Sequence, residues 1–271
     1  MNAKINMKME SKKLRLSADK CKHLHISKKK SECLINLKVH NGEMMKADNC
    51  AYLGDRISTD GSLDLTIEER RQKGVGLLTQ ISGMVNQLSL GHFYFKIGFM
   101  LRNCMFINVT LKNSECWYNV NKKHLETLES GDLMLIRKLI KGHSKTAKEA
   151  FYLETGLLPT KFIIQKRKLM FLWNILQRNE NELVKKVYNT QNIIATTGDW
   201  AISVKDDRIE LGITETDEEI SKMPIVDKAV EKTALKVLND IANDPKVTDS
   251  SVKNIFSTNL SIVVMLNYSF Q

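Results

Sequence analysis

The sequence contains few of the residues that interrupt regular structure. Three prolines and 13 glycines occur in 271 residues, and this scarcity disfavours a fold of many short strands joined by tight turns. Hydrophobic residues make up 42% of the chain and charged residues 27%, a balance that excludes an intrinsically disordered protein. We therefore expect a globular chain built mainly from long helices.

Long apolar runs are also missing. The longest one near the C terminus covers residues 262–266, whereas a membrane-spanning helix needs about 20 apolar residues. Residues 1–16 are interspersed with lysine and contain no apolar core of a signal peptide. The sequence therefore predicts an intracellular protein, cytoplasmic or nuclear, that does not associate with membranes.

The common catalytic and metal-binding motifs are absent as well. The five cysteines form no Cys-Xaa-Xaa-Cys pair, which favours reduced thiols. No nucleophile elbow, Walker loop or Gly-Xaa-Gly-Xaa-Xaa-Gly motif occurs. Cys21, His23 and His25 alternate, with His40 nearby, but lysines flank them and their spacing is not that of the usual zinc sites. We expect no metal ion and no cofactor.

Asp206 and Asp207 are adjacent carboxylates on a predicted helix. Neighbouring residues of a helix point about 100° apart, so these two side chains are not placed to share a magnesium ion. Lys205 and Arg208 flank them, and we expect all four to form ion pairs on the surface. The sequence thus predicts no catalytic residue.

Charge is distributed unevenly along the chain. Residues 1–190 carry 33 Lys and Arg against 18 Asp and Glu, whereas residues 191–271 carry 8 against 13. The basic excess favours a polyanion as the partner of the first part of the chain. Basic clusters lie at residues 12–15, 28–30, 70–73 and 166–168. The alternative is a solvated basic surface with no partner.

Hydrophobic periodicity changes near residue 62. Before it, alternation at residues 20–27, an Asn41-Gly42 hairpin signal and a short apolar segment at 51–58 predict short strands. After it, apolar residues recur every three or four positions, and the first such stripe consists of Leu63, Ile67, Gly74, Leu78, Ile81, Val85 and Leu88. The predicted helices after this first one cover residues 92–116, 122–141, 150–154, 159–178, 200–211 and 224–242. The expected fold class is mainly α, with short N-terminal strands followed by a helical bundle and a helical C-terminal region.

Local signals predict where several helices begin and end. Thr146 with Glu149, and Thr216 with Glu219, have the form of capping boxes. Asp199 is a predicted N-cap, and Gly142 is a predicted residue after a helix C terminus. The residues of helix 159–178 are apolar on nearly every side, so we expect that helix to be buried.

Gly74 and Gly76 lie within the first predicted helix, where each glycine costs about 1 kcal/mol relative to alanine. Such glycines permit close approach of another helix. Gly74 also follows Arg70-Arg71-Xaa-Lys73, and a glycine beside cations suits the close approach of a phosphate backbone. Both interpretations remain open from the sequence.

A series of short motifs resembles one known family. In chain order the motifs are Leu14-Arg15-Leu16-Ser17-Ala18-Asp19-Lys20-Cys21, Tyr52-Leu53-Gly54-Asp55-Arg56-Ile57, Asp60-Gly61, Arg71-Gln72-Lys73-Gly74-Val75-Gly76, Tyr152-Leu153-Glu154-Thr155-Gly156-Leu157-Leu158-Pro159 and Gly198-Asp199-Trp200. Their order and spacing over residues 10–240 resemble the part of non-LTR (LINE-like) retrotransposon reverse transcriptases that follows the catalytic aspartates. The resemblance implies a partial palm with a primer-grip-like hairpin at 1–61, a helical thumb-like domain at 62–190 and an acidic helical region at 191–271.

The resemblance also implies which residues contact nucleic acid. Lys20 corresponds to a lysine near the incoming nucleotide, with Lys22 beside it. The Tyr52-Leu53-Gly54 motif is similar to the hairpin that grips the primer end, although ordinary strand packing is an alternative role for Tyr52 and Leu53. The thumb-like helices imply contacts to the phosphate backbone, and the candidate residues there are Arg70, Arg71 and Lys73.

The departure from the family concerns its catalytic centre. The aromatic-Xaa-Asp-Asp motif, which precedes the matched segment in the family, does not occur in this sequence. Without aspartates to bind metal ions, phosphoryl transfer has no electrostatic centre. We therefore expect a remnant that binds RNA or an RNA–DNA hybrid and does not polymerise. The alternative is a helical protein–protein interaction module that uses the apolar seam of residues 224–242.

Overall fold

The computed structural model describes most of the chain between residues 42 and 221. The described residues are 11–12, 17, 21–26, 37–39, 42–87, 93–143, 146–194, 199–221, 232–233 and 236. They belong to two compact units, Met1–Glu69 and Arg70–Gln271. The domain limits predicted at residues 61 and 190 stay predictions.

The strands of the first unit are short. They are β1 (Lys22–His23), β2 (Lys38–Val39), β3 (Gly42–Glu43), β4 (Met45–Lys46), β5 (Asn49–Tyr52) and β6 (Asp55–Ser58). β1 pairs in parallel with β4, β2 pairs antiparallel with β3, and β5 pairs antiparallel with β6. The predicted N-terminal strands are therefore present, although most contain only two residues.

The β2–β3 hairpin corrects the position of the predicted turn. Val39 pairs with Gly42, so Gly42 is a strand residue and not a turn residue. Asn41 lies outside the described residues. The backbone N–H of Met44 donates to the carbonyl of Leu37 at 2.8 Å, which extends the pairing beyond the two strands.

β5 and β6 form a hairpin where the sequence analysis predicted one short segment at 51–58. Tyr52 pairs with Asp55, and the two residues between them have positive φ, 50° at Leu53 and 98° at Gly54. Two consecutive positive φ values define the turn that best matches the twist of paired strands. The single-segment prediction was wrong because leucine is not a typical residue for the first position of such a turn.

The helices occupy the rest of the described chain. They are α1 (Asp64–Gln87), α2 (Phe93–Leu101), α3 (Asn108–Thr110), α4 (Lys122–Ile140), α5 (Lys148–Thr155), α6 (Thr160–Leu176), α7 (Leu183–Ile194), α8 (Trp200–Glu210) and α9 (Asp217–Ser221). A π-helical segment, Arg102–Ile107, joins α2 to α3, and a 3-10 turn covers Ser114–Cys116. The predicted mainly α fold class is confirmed.

Polar contacts hold β6 to the beginning of α1. The Thr66 hydroxyl accepts a hydrogen bond from the Arg56 backbone N–H at 2.9 Å and donates to the Arg56 carbonyl at 3.0 Å. The Arg56 guanidinium donates to the Glu69 carboxylate at 3.2 Å. Within the first unit, these contacts fix the orientation of β6 relative to the beginning of α1.

The apolar stripe predicted for α1 is buried, including Ile67, Leu78, Ile81 and Val85. Leu88 lies outside the described residues. At Gly74 an added Cβ would lie 2.8 Å from the Cγ2 atom of Thr110. Gly74 therefore permits the close approach of a helix of the same chain, so the structure does not support the phosphate-approach interpretation. Around Gly76 nothing lies within 4 Å of an added Cβ.

Helix α6 is mostly buried, as predicted. Its buried apolar residues pack with those of α7, α8 and α9 in one cluster, which contains Phe162, Leu169, Leu172, Ile175, Tyr188, Ala201, Val204, Leu211, Ile213 and Ile220. The Trp200 ring packs edge-on against Phe171 at 5.5 Å between centroids, and its indole N–H donates to the Glu115 carbonyl at 2.8 Å. Helix α6 is thus covered on several sides.

Helix ends confirm some of the predicted caps. The Thr216 backbone N–H donates to the Glu219 carboxylate at 2.7 Å, and the Glu219 N–H donates to the Thr216 hydroxyl at 3.3 Å. This is the predicted capping box. Asp199 is the N-cap residue of α8, although its side chain makes no capping hydrogen bond.

One predicted capping box was wrong. Helix α5 has Ala147 as its N-cap and no side-chain cap, so Thr146 and Glu149 do not form a capping box. After α4, Lys141 takes the left-handed conformation with φ of 53°. Gly142 is required there for another reason, because an added Cβ would clash with the Phe151 ring.

Within the part of the chain that the structure describes, none of the helices combines the length and the apolar character needed to cross a membrane.

Candidate nucleic-acid surface and an acidic cleft

The tip of the β5–β6 hairpin is exposed. Tyr52 is 62% exposed and Leu53 75% exposed, because Tyr52 ends β5 and the following two residues form the turn. Ordinary strand packing, the alternative role for these residues, does not describe their position. An exposed aromatic ring beside a turn glycine is suited to stacking on a nucleobase.

The basic residues of α1 lie on two different faces. Arg70 is 3% exposed, and its guanidinium donates to the Val109 carbonyl at 3.4 Å. Arg71 and Lys73 are exposed. The structure therefore gives no support to the predicted contact between Arg70 and a phosphate backbone, which stays a prediction; the side chain is buried because its position lies between Ile67 and Gly74 on the buried stripe. The helical period of the apolar stripe, which includes position 70, could have predicted that Arg70 is buried.

The remaining predicted contact residues lie in the first unit. Lys22 is an exposed residue of β1, and Lys20 lies outside the described residues. Lys22 and the hairpin tip belong to one compact unit, whereas Arg71 and Lys73 belong to the other. Each set is therefore a separate candidate surface.

Two of the three residues of the basic cluster at 166–168 form hydrogen bonds with other residues of the chain. Arg167 donates to the Leu111 carbonyl and to the Asn108 side chain, and burial lowers the pKa of its guanidinium. Lys168 is 3% exposed and donates to Asp207 at 2.7 Å and to Ser203 at 2.6 Å. These contacts join helices, so Arg167 and Lys168 are structural cations.

Asp207 and Arg208 do not pair with their sequence neighbours. Asp207 takes its cation, Lys168, from α6, and Arg208 pairs with Asp217 of α9 at 2.7 Å. The predicted surface pairing is therefore wrong for these two residues, because each points from α8 toward a different neighbouring helix. Asp206, one residue away, is exposed.

A cleft of about 650 Å³, the acidic cleft, lies among α4, α5, α6 and α8. Its carboxylates are Glu126, Glu129, Glu149, Asp199, Asp206, Asp207 and Glu210, and its lysines are Lys122, Lys148, Lys161 and Lys168. The sequence analysis did not predict this cleft, because its residues are separated in the chain and carry no common motif.

Two buried polar side chains line the acidic cleft. Gln165 is 2% exposed; its amide N–H₂ donates to Asp207 at 3.1 Å and to Glu210 at 2.7 Å, while its carbonyl oxygen has no hydrogen-bond partner. Tyr152 is also 2% exposed, and its hydroxyl lies close to the Glu129 carboxylate. Burial, reinforced by the negative charge of Asp132 and Glu129, raises the pKa of that hydroxyl. The phenol is therefore neutral at physiological pH.

A buried ion pair lies close enough to Tyr152 for both of its charges to affect the pKa of the phenol. Arg102, the first residue of the π-helical segment, binds Asp132 of α4 through two hydrogen bonds of 2.6 and 2.5 Å. Both side chains are almost fully buried, 2% and 1% exposed. Two-point guanidinium–carboxylate geometry is the arrangement that best offsets the cost of removing both charges from water.

No group of three or more His, Cys, Asp or Glu side chains suited to a metal ion occurs among the residues that the structure describes. Cys21, His23 and His25 are partly buried, and His40 lies outside the described residues.

The comparisons with known proteins give no relative. No protein-family model, curated protein or solved structure matches this chain.

Proposed function

We propose that this chain is a remnant of a non-LTR retrotransposon reverse transcriptase. It binds the phosphate backbone of nucleic acid and does not synthesise DNA. The observation that carries the proposal is the Tyr52-Leu53-Gly54 turn. The motif that resembles the primer grip lies at the tip of a real hairpin, with its tyrosine and leucine exposed.

The charge distribution supports the same proposal. Arg71 and Lys73 are exposed on α1, and Lys and Arg exceed Asp and Glu strongly over residues 1–190. Cations on an exposed helix face bind phosphates without reading sequence. The expected ligand is therefore an RNA–DNA hybrid or RNA, bound with little sequence preference.

The test is a salt titration of binding between the full chain and a labelled RNA–DNA hybrid. Each neutralised phosphate contributes about 0.9 to the slope of log affinity against log salt for B-form DNA, and we take that value as the guide for the hybrid. We expect Arg71→Ala/Lys73→Ala to lower the slope by about 2. Lys186→Ala/Lys205→Ala, which removes two exposed lysines elsewhere, is the matched control and should leave the slope unchanged.

The hairpin tip has its own test. We expect Tyr52→Ala to weaken hybrid binding by about 1–3 kcal/mol, the usual value for losing one base-stacking aromatic ring. The salt slope should not change, because no charge is removed. Binding that is insensitive to salt between about 50 and 200 mM would contradict phosphate contacts altogether.

An interaction module at residues 224–242 stays a prediction. Of this seam the structure describes only residues 232–233 and 236. The Thr233 hydroxyl donates to the Leu211 carbonyl at 3.1 Å, so at this position the seam contacts the chain's own body.

A further inference from the structure

Helix α7 has most of its apolar side chains on the side that faces solvent. Leu183, Val187 and Ile194 are 77%, 46% and 67% exposed, whereas the buried residues of the helix are Lys185 and Tyr188. Tyr188 packs in the apolar cluster that includes residues of α6, and the Lys185 ammonium donates to a backbone carbonyl at 3.3 Å. These two side chains attach the helix, and its aliphatic residues stay exposed.

The exposed residues have the spacing of a face that pairs with a second helix. Leu183, Val187, Thr190 and Ile194, the α7 seam, lie four, three and four residues apart and so share one face. In a heptad this spacing places leucine and threonine at d and the two β-branched aliphatic residues at a, and leucine at d with β-branched residues at a favours pairs in parallel coiled coils. The Thr190 hydroxyl donates to the Lys186 carbonyl of its own helix at 2.8 Å, so it requires no partner in an apolar contact.

A lipid surface and the chain's other apolar seam fit this face less well. Helices that lie on membranes carry several cations on their polar face, whereas α7 has two lysines, of which Lys185 is buried and Lys186 is exposed. One exposed lysine in each copy adds little repulsion when two copies meet. In the apolar seam of residues 224–242, Thr233 donates to the Leu211 carbonyl at the end of α8, so that seam has a contact of its own.

The exposed apolar area corresponds to a weak dimer. The exposed aliphatic residues of α7 are Leu183, Val184, Val187, Ile193 and Ile194. Full burial of one such side chain removes about 60–120 Å² from water, so at these exposures each copy offers about 200–400 Å². Because nonpolar atoms make up about 60% of an interface, two copies would bury about 600–1,200 Å² in total. This range is typical of weak, reversible contacts.

We propose that the α7 seam is the contact between two copies of this chain. The two copies are related by a two-fold axis, because a patch that contacts its own counterpart closes into a dimer and leaves no surface for further copies. From the area we expect a dissociation constant of about 10–100 μM. The contact uses none of the residues proposed to bind nucleic acid, so it is independent of the proposed function.

The test is sedimentation equilibrium of the full chain without nucleic acid, from about 1 to 300 μM, a range that brackets the expected dissociation constant. We expect the average mass to rise with concentration from 31.0 kDa toward twice that value. Val187→Glu and Ile194→Glu should each weaken the dimer at least about tenfold, because both copies would bury a carboxylate in an apolar contact. Thr190→Leu should tighten it about three- to tenfold by adding apolar area at a d position.

Ile209→Glu is the matched control. Ile209 is an exposed residue of α8 that lines a groove with Tyr188 and Asn192, and those two residues lie on the opposite side of α7 from the seam. The control variant and Arg71→Ala/Lys73→Ala should dimerise as the parent chain does. Circular dichroism melts check that each variant folds, and Thr190→Leu tests the seam by a gain that misfolding cannot produce.

Three outcomes would overturn the proposal. The first is a mass of one chain at every concentration, in the parent and in Thr190→Leu. The second is a dimer whose affinity does not change in Val187→Glu, Ile194→Glu or Thr190→Leu, which would place the contact elsewhere. The third is a monomer that binds phosphatidylserine vesicles and loses this binding in Val187→Glu, which would assign the seam to a lipid surface.

Discussion

Gly74 and Gly76 lie two residues apart in α1 and provide a matched test of how that helix is used. Replacing either glycine by alanine in a helix interior gains about 0.5–1 kcal/mol from backbone entropy. At Gly76 nothing lies within 4 Å of the new methyl group. We therefore expect Gly76→Ala to stabilise the protein by about that amount.

At Gly74 the same change meets a packed neighbour. The new methyl carbon would lie 2.8 Å from Thr110 Cγ2 and 3.2 Å from Phe106 Cε2, whereas carbon atoms in contact normally lie about 3.5–4.0 Å apart. Overpacking of this kind costs about 1–3 kcal/mol. After the gain in helix propensity, Gly74→Ala should destabilise the protein by about 1 kcal/mol, so the two variants should differ by about 2 kcal/mol.

Urea unfolding followed by circular dichroism measures this difference. Because both variants make the same chemical change in the same helix, helix propensity cancels between them and the contact with Thr110 and Phe106 remains. A Gly74→Ala protein as stable as Gly76→Ala would refute the packing argument. Loss of hybrid affinity in Gly74→Ala without loss of stability would restore the interpretation that Gly74 admits a phosphate backbone.

Two further predictions concern buried ionisable groups. Asp132→Asn leaves the Arg102 guanidinium buried without its carboxylate and should cost about 3–5 kcal/mol of unfolding free energy in urea; Arg102→Met/Asp132→Leu should recover most of it, and equal losses in both would contradict the argument. Burial raises the pKa of Tyr188 to about 12 from 10.0, so its contribution to stability is complete below pH 10 and is lost as the pH rises from 10 to about 12. Tyr188→Phe should make alkaline unfolding less steep, and an unchanged profile would show that Tyr188 does not contribute.

The features that the sequence predicted correctly depend on residues close together in the chain. The stripe from Ile67 to Val85 repeats with the helical period, so burial of one face follows once the helix forms. The Thr216–Glu219 capping box needs only the first turn of α9. The apolar residues on nearly every side of helix 159–178 predicted its burial in the same way.

Several local features were missed for definite physical reasons. The turn at Leu53-Gly54 places leucine at positive φ, where turn statistics expect glycine or asparagine. Arg70 is charged, yet its aliphatic stem occupies the stripe while its head group reaches a backbone carbonyl. The Asn121 side chain accepts a hydrogen bond from the His124 backbone N–H and forms a capping box in which histidine replaces the usual glutamate. The standard sequence pattern of a capping box does not include this histidine.

The residue pattern alone predicts a mainly helical protein with short strands first, and it predicts which faces of the helices are apolar. Those properties follow from contacts three or four residues apart. The packing of the helices is what pairs Arg102 with Asp132, 30 residues away, and Lys168 with Asp207, 39 residues away. A charge can be buried only where another helix brings its partner within hydrogen-bonding distance, so the ion pairs and the acidic cleft depend on how the helices pack and not on any local pattern.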